Sequence, residues 1–168
     1  MIWHYDAARG TLTLDECTPA TTLLDSVGGF DVVWDEQVRA KIRGLRKKRL
    51  PKETGGVLLG YFDLVSRRVF IVDVLPAPPD SKEEDNGFVR GISGLEEAVT
   101  AVQGRTGHIV GYVGEWHSHP PNHSSSPSGD DLLLLGHLAI RLSQDGQPPL
   151  MLIAGEEERT REVFGDYV

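Results

Sequence analysis

The chain has 168 residues and a single cysteine, Cys17. One thiol cannot close an internal disulfide, so the fold must rest on its core, and a reducing cytoplasm is the expected compartment. Long apolar runs are missing as well, since none approaches the roughly 20 residues a helix needs to cross a bilayer. The opening residues, Trp3, His4 and Asp6 among them, lack the basic and apolar regions of a secretory signal. Positive charge is in deficit: 17 Lys and Arg face 25 acidic residues, a net charge of -8. That balance argues against general nucleic-acid binding. Neither an internal repeat nor a linker divides the sequence. With 39% hydrophobic residues in 18.5 kDa, one core is affordable, so a single domain over 1–168 is expected, with a hairpin extension over about 1–30.

What is present alternates short strands with helices. Ile2 to Tyr5 and Thr11 to Leu14 flank Ala-Ala-Arg-Gly and predict a hairpin, whereas 15–29 reads as a loop rich in Thr and Gly. Phe30 to Trp34 reads as a strand. Asp35 then caps a helix with Val38, Ile42 and Leu45 on one face and Pro51 beyond its end. Val57 to Phe62 and Val69 to Leu75 read as strands joined near Ser66-Arg67. Pro76 to Gly87 reads as an acidic, proline-rich loop that can serve as a flap. Ser93-Gly94-Leu95-Glu96 matches a capping box before a helix whose Leu95, Val99 and Val102 face inward. A strand over Ile109 to His117, a helix over Asp130 to Leu142 with Leu132 to Leu135 buried, and strands at Leu150 to Ala154 and Glu162 to Phe164 complete a mixed α/β unit. The basic run of Arg39, Lys41, Arg43, Arg46, Lys47, Lys48 and Arg49 reads first as a solvated helix face, and second as a docking patch for an acidic partner.

Glu115-Trp116-His117-Ser118-His119-Pro120 carries the chemistry. Two histidines one residue apart on a strand point to the same side, so both imidazoles can grip one metal ion. Pro120 stops the strand, and the polar loop after it can deliver a carboxylate from Ser128-Gly129-Asp130-Asp131. Asp131 is chosen over its rival Asp130 because Ser128 lies three residues before it, on the same side of a first helical turn. Two histidines and a carboxylate leave one tetrahedral position free, the pattern of a catalytic zinc site. Ser128 can cap the helix and also donate to an oxyanion. Such a hydrolase needs a carboxylate to move a proton, and Glu53, ahead of Thr54-Gly55-Gly56, is the candidate. Composition alone makes Glu53 a surface acid. Glu115 competes for the proton-transfer role but reads better as a supporting or surface residue, and His123 as a solvent-exposed or substrate-side group. Trp116 is expected in the core behind the metal. His4, His108 and His137 carry no motif.

With these residues the chain resembles the JAMM or MPN-plus family of zinc isopeptidases, also called the JAB domain. The resemblance rests on Glu53, His117-Ser118-His119-Pro120 and Ser128-Gly129-Asp130-Asp131, with a loop between Pro120 and Ser128 one residue longer than usual. It implies a cytidine-deaminase-like α/β fold, a mixed sheet with flanking helices. It also implies Glu53 as the proton-transferring carboxylate and Zn2+ on His117, His119 and Asp131. The activity implied is hydrolysis of the amide joining the C-terminal tail of a ubiquitin-like protein to its target. Glu53 to Gly60, Phe88 to Gly91 and Gly114 to His117 look most like the bacterial branch encoded beside E1- and E2-like proteins. Within that branch the likeness is to the deconjugating proteases of cyclic-oligonucleotide antiphage (CBASS) operons, whose substrate tail belongs to a cGAS-like nucleotidyltransferase. Two other readings stand beside this one. The first is a silent scaffold of the same fold; the second is a hydrolase of another amide, such as a sulfur-carrier precursor. The lone cysteine argues against deaminase chemistry, because that zinc site needs a cysteine pair.

Overall fold

A computed structural model describes residues 2–15, 22–27, 29–156 and 160–164. β1 (Ile2–Asp6) and β2 (Thr11–Asp15) pair antiparallel as a two-stranded sheet of their own. The Asp6 carboxylate accepts the Ala8 and Arg9 amides at 2.9 and 3.2 Å, which tightens the expected turn.

The stretch read as a loop over 15–29 contains β3 (Thr22–Val27), antiparallel to β4 (Phe30–Asp35). Val27 pairs with Phe30 across Gly28-Gly29, a two-residue hairpin signal that the polar composition hid. β3 lies at the edge of the main sheet, with Thr22, Leu24 and Ser26 exposed. An edge strand with one wet face reads as polar. Residues 16–21 and 28 of that stretch lie outside those described.

The main sheet runs β11-β10-β9-β5-β6-β4-β3, built further from β5 (Gly55–Asp63), β6 (Arg68–Pro76), β9 (Gly111–Ser118), β10 (Leu150–Ala154) and β11 (Thr160–Phe164). β4 and β6 run parallel, as do β9 and β10; the other pairs are antiparallel. This is the mixed α/β architecture expected. α1 (Glu36–Lys47) begins where Asp35 accepts the Val38 amide, and it buries Val38 and Ile42. Those two side chains join a core of Trp34, Leu58, Val69, Trp116, Leu150 and Leu152. Met151 and Ile153 point to the other face, against Leu135 of α3 (Gly129–Leu142). β10 is therefore covered on both sides, and its five residues are all buried.

Four local expectations are not met in full. Ser93 does not cap α2 (Leu95–Arg105); Gly94, left-handed at φ 72°, takes the N-cap position without a side-chain bond. The Asp80 carboxylate instead accepts the Ile92 and Ser93 amides, each at 3.0 Å, so a partner distant in sequence replaces the local cap. Leu95, Val99 and Val102 are only half-buried. On α3, Leu132 and Leu133 are 54% and 66% exposed, and Leu134 is also open. Four consecutive helical positions spread over the whole circumference, so one sheet can bury only the stripe of Leu135 and Leu138. The acidic segment after β6 folds into a small hairpin, β7 (Lys82–Glu84) with β8 (Gly87–Val89).

Backbone proximity sets where glycine is required. A Cβ on Gly60 would sit 1.8 Å from the Phe70 carbonyl oxygen, whereas one on Gly44, in α1, would meet nothing within 4 Å. Gly44→Ala should therefore stabilise by about 0.5–1 kcal/mol, a rise of roughly 2–4 °C in Tm. Gly60→Ala should cost about 2 kcal/mol or more through strand separation. Thermal melts of both variants check the pair.

Candidate metal centre

β9 sits between β5 and β10, with His117 level with Gly55 on one side and Ile153 on the other. Trp116 points into the core and its indole N–H donates to the Leu75 carbonyl at 3.0 Å. His117 points to the opposite face. His119 lies just past the strand end, its N–H donating to Ala154 O at 3.0 Å. Ser128 caps α3 in a reciprocal box, accepting the Asp131 amide at 3.2 Å while its own N–H donates to Asp131 Oδ2 at 2.6 Å. This box fixes the Asp131 carboxylate at a helix N-terminus, where negative charge is favoured.

Those restraints bring three ligand atoms together. Asp131 Oδ1 stands 3.1 Å from His117 Nε2, Asp131 Oδ2 stands 3.4 Å from His119 Nε2, and the two Nε2 atoms are 3.2 Å apart. All three groups lie within 4.8 Å of one another and are buried or nearly so. His119 Nδ1 faces the Ser124 carbonyl. A carbonyl only accepts, so Nδ1 carries the proton and Nε2 presents its lone pair inward. A lone pair aimed at a carboxylate and a second imidazole repels both, and a cation between them turns that repulsion into ligation. The donor set fits a divalent metal. Burial pushes the Asp131 carboxyl up, but when the two imidazoles carry protons on Nε2 their hydrogen bonds outweigh it and hold the group far below the usual carboxylate range.

Glu53 is half-buried and lines the same cavity, of about 600 Å³, as His117, His119, Asp131 and Ser128. Its N–H donates to Glu84 O at 2.8 Å, and the next residue is locked to β9, Ser118 N to Thr54 O at 2.7 Å and Thr54 N to Ser118 Oγ at 3.1 Å. Burial raises the Glu53 carboxyl, opposed by the nearby His119 and His117. Gly55 and Gly56 explain how the strand comes so close. A Cβ on Gly55 would lie 2.4 Å from the Phe88 ring, and one on Gly56 would lie 2.0 Å from the Leu75 carbonyl oxygen. Phe88 and Val89 bring the hairpin into the cavity wall.

Asp130 lines the cavity without joining the converging group. His123 is exposed at the cavity and bonds the Pro121 carbonyl through Nδ1 at 3.0 Å. Glu115 is not a surface acid: it is 4% exposed, takes a two-pronged bond from Arg90 at 2.8 Å on each oxygen, and accepts from Tyr112 at 3.2 Å. The bond it donates to Glu115 raises the Arg90 guanidinium above its ordinary value. Arg46 also reaches the site, donating to the His119 carbonyl from Nε at 3.2 Å and from Nη2 at 3.1 Å. Sequence reasoning missed the role of Arg46 because its partner lies 73 residues away.

Compared with known proteins, residues 35–164 match the family described as prokaryotic homologs of the JAB domain. A protein of Enterobacter hormaechei subsp. hoffmannii named CD-NTase/cGAS isopeptidase is 38% identical over 103 residues, 61% of this chain and 55% of that protein. The chain thus spans a little over half the length of that relative. Among solved structures, one from Desulfitobacterium hafniense is similar at a TM-score of 0.47 and 22% identity, over 78% of this chain and 79% of the other.

Removing one ligand should abolish tight metal uptake. After zinc loading and dialysis, His117→Ala and Asp131→Ala should carry little metal by elemental analysis and lose the zinc-induced rise in Tm that binding gives the parent. Asp130→Ala should keep both. Metal lost from Asp130→Ala but kept by Asp131→Ala would reverse the ligand assignment.

Proposed function

This chain belongs to the prokaryotic JAB-domain family, and from that membership we propose that it is a zinc-dependent isopeptidase. The observation that carries the reading is one cavity bearing the His117, His119 and Asp131 ligand atoms together with Glu53 and Ser128. Zinc held by those three ligands supplies Lewis acidity toward water and toward the scissile carbonyl. The Glu53 carboxylate takes a proton from the attacking water at one oxygen and returns it to the departing amine nitrogen. Partial burial, which raises this carboxyl, suits a group that must hold a proton between the two steps. The Ser128 hydroxyl accepts the Asp131 amide with its oxygen and keeps its own hydrogen for a developing oxyanion.

The amide cleaved joins a C-terminal tail, of a ubiquitin-like protein or a cGAS-like nucleotidyltransferase, to its target. The name of the Enterobacter relative supports the nucleotidyltransferase as substrate. The setting in this reading is bacterial antiphage defence in the cytoplasm, beside E1- and E2-like partners that build the conjugate. No described helix is long and apolar enough to cross a membrane.

A tail-fusion substrate incubated with the zinc-loaded chain tests the reading, with products identified by mass spectrometry. Glu53→Gln should retain zinc and lose at least about a hundredfold in kcat. Ser128→Ala should lose on the order of a hundredfold while remaining measurable. Cleavage by Glu53→Gln at the parental rate would remove that residue from the chemistry.

A further inference from the structure

We propose that Arg46 is a positioning residue of the metal centre, fixing His119 through its main chain without touching the ion. The proposal rests on the metal-binding reading of His117, His119 and Asp131. β9 ends at Ser118, and Pro120-Pro121, which have no amide hydrogen to donate, follow His119 directly. The His119 backbone therefore leaves the sheet where its ring must be held most firmly. Three restraints act there. Its N–H donates to Ala154 O at 3.0 Å, its ring Nδ1 faces Ser124 O, and its carbonyl accepts both Arg46 donors, at 3.2 and 3.1 Å.

Arg46 is delivered by a rigid element. It stands in the last turn of α1, whose Val38 and Ile42 are buried against the sheet. Its guanidinium is partly desolvated and is attracted to Glu156, and Glu156 in turn accepts the Asn122 amide at 2.9 Å. Opposite charges thus brace the two ends of the 119–122 turn. Other members of the basic run point elsewhere: Lys41 to Asp73, Arg43 to Glu36, and Arg49 to Glu83. Arg46 is the member of this run seen to bond the ligand loop.

Two physical effects oppose each other, which makes the proposal testable by sign. A fixed positive charge near the centre repels a dication, so electrostatics alone predicts tighter metal binding once Arg46 is removed. Positioning predicts weaker binding, because groups that orient a ligand typically contribute about 10–100-fold in affinity.

The test is the zinc Kd of the full chain, measured by competition with a chromophoric chelator and without any catalytic readout. Arg46→Gln should weaken binding about 10–100-fold and alter the visible spectrum of the cobalt-loaded protein. Arg46→Lys, which keeps the charge but loses the fork, should fall between. Arg43→Gln should match the parent. An Arg46→Gln variant that binds zinc as tightly as the parent, or more tightly, overturns the proposal. If Arg46→Gln fails to fold by circular dichroism, Arg46→Lys at parental affinity overturns it equally. A parent that takes up no zinc overturns the metal-centre reading itself, whereas a zinc-binding parent with an indifferent Arg46 removes only this inference.

Discussion

The cleft depends on how β9 ends. Through Ser118 the strand is held by β5 and β10, so His117 inherits the rigidity of the sheet. One residue later the ladder stops, and His119 keeps register with His117 through a last bond to Ala154 O of β10 and through contacts from outside the sheet. A metal site tolerates displacements of only a few tenths of an ångström in its ligands. The two histidines are therefore equal in chemistry and unequal in support, and the elements around the strand end make up the difference.

The same economy places the remaining groups. Glu53 lies two residues before a pair of glycines that lets β5 pack under Phe88 and against the Leu75 carbonyl. The hairpin that closes over this strand is itself tied down: Asp80 holds the amides of Ile92 and Ser93, and Arg90 grips the buried Glu115 of β9. An ion pair so buried costs desolvation energy and is tolerated when its geometry is two-pronged and its remaining lone pairs are used. Here it links the cavity wall to the strand that carries the ligands. Wall and ligand strand form one assembly.

How much of this was legible in the sequence depends on the range of the interaction. Local signals read true: the Asp35 cap, the apolar stripe of α1, and the strands read at Val57 to Phe62 and Val69 to Leu75 are set by near neighbours in sequence. The HxHP and SxxD segments were legible because the groups each brings to the cavity are only two or three residues apart. Long-range partnerships were not. Nothing near Ser93 announces that Asp80 will take its amide, nothing near Arg46 announces His119, and Glu115 read equally as a supporting or a surface residue, its partner Arg90 lying 25 residues away. The four leucines of 132–135 misled for a different reason, since composition cannot say how much of a helix a single sheet will cover.

The central claim is that one cation sits among His117, His119 and Asp131. Anomalous diffraction at the zinc edge, from crystals of the zinc-loaded chain, tests it most directly. The account requires a single strong peak bonded to both Nε2 atoms and to the Asp131 carboxylate. A map with no peak there, or with zinc held by other side chains, would contradict it.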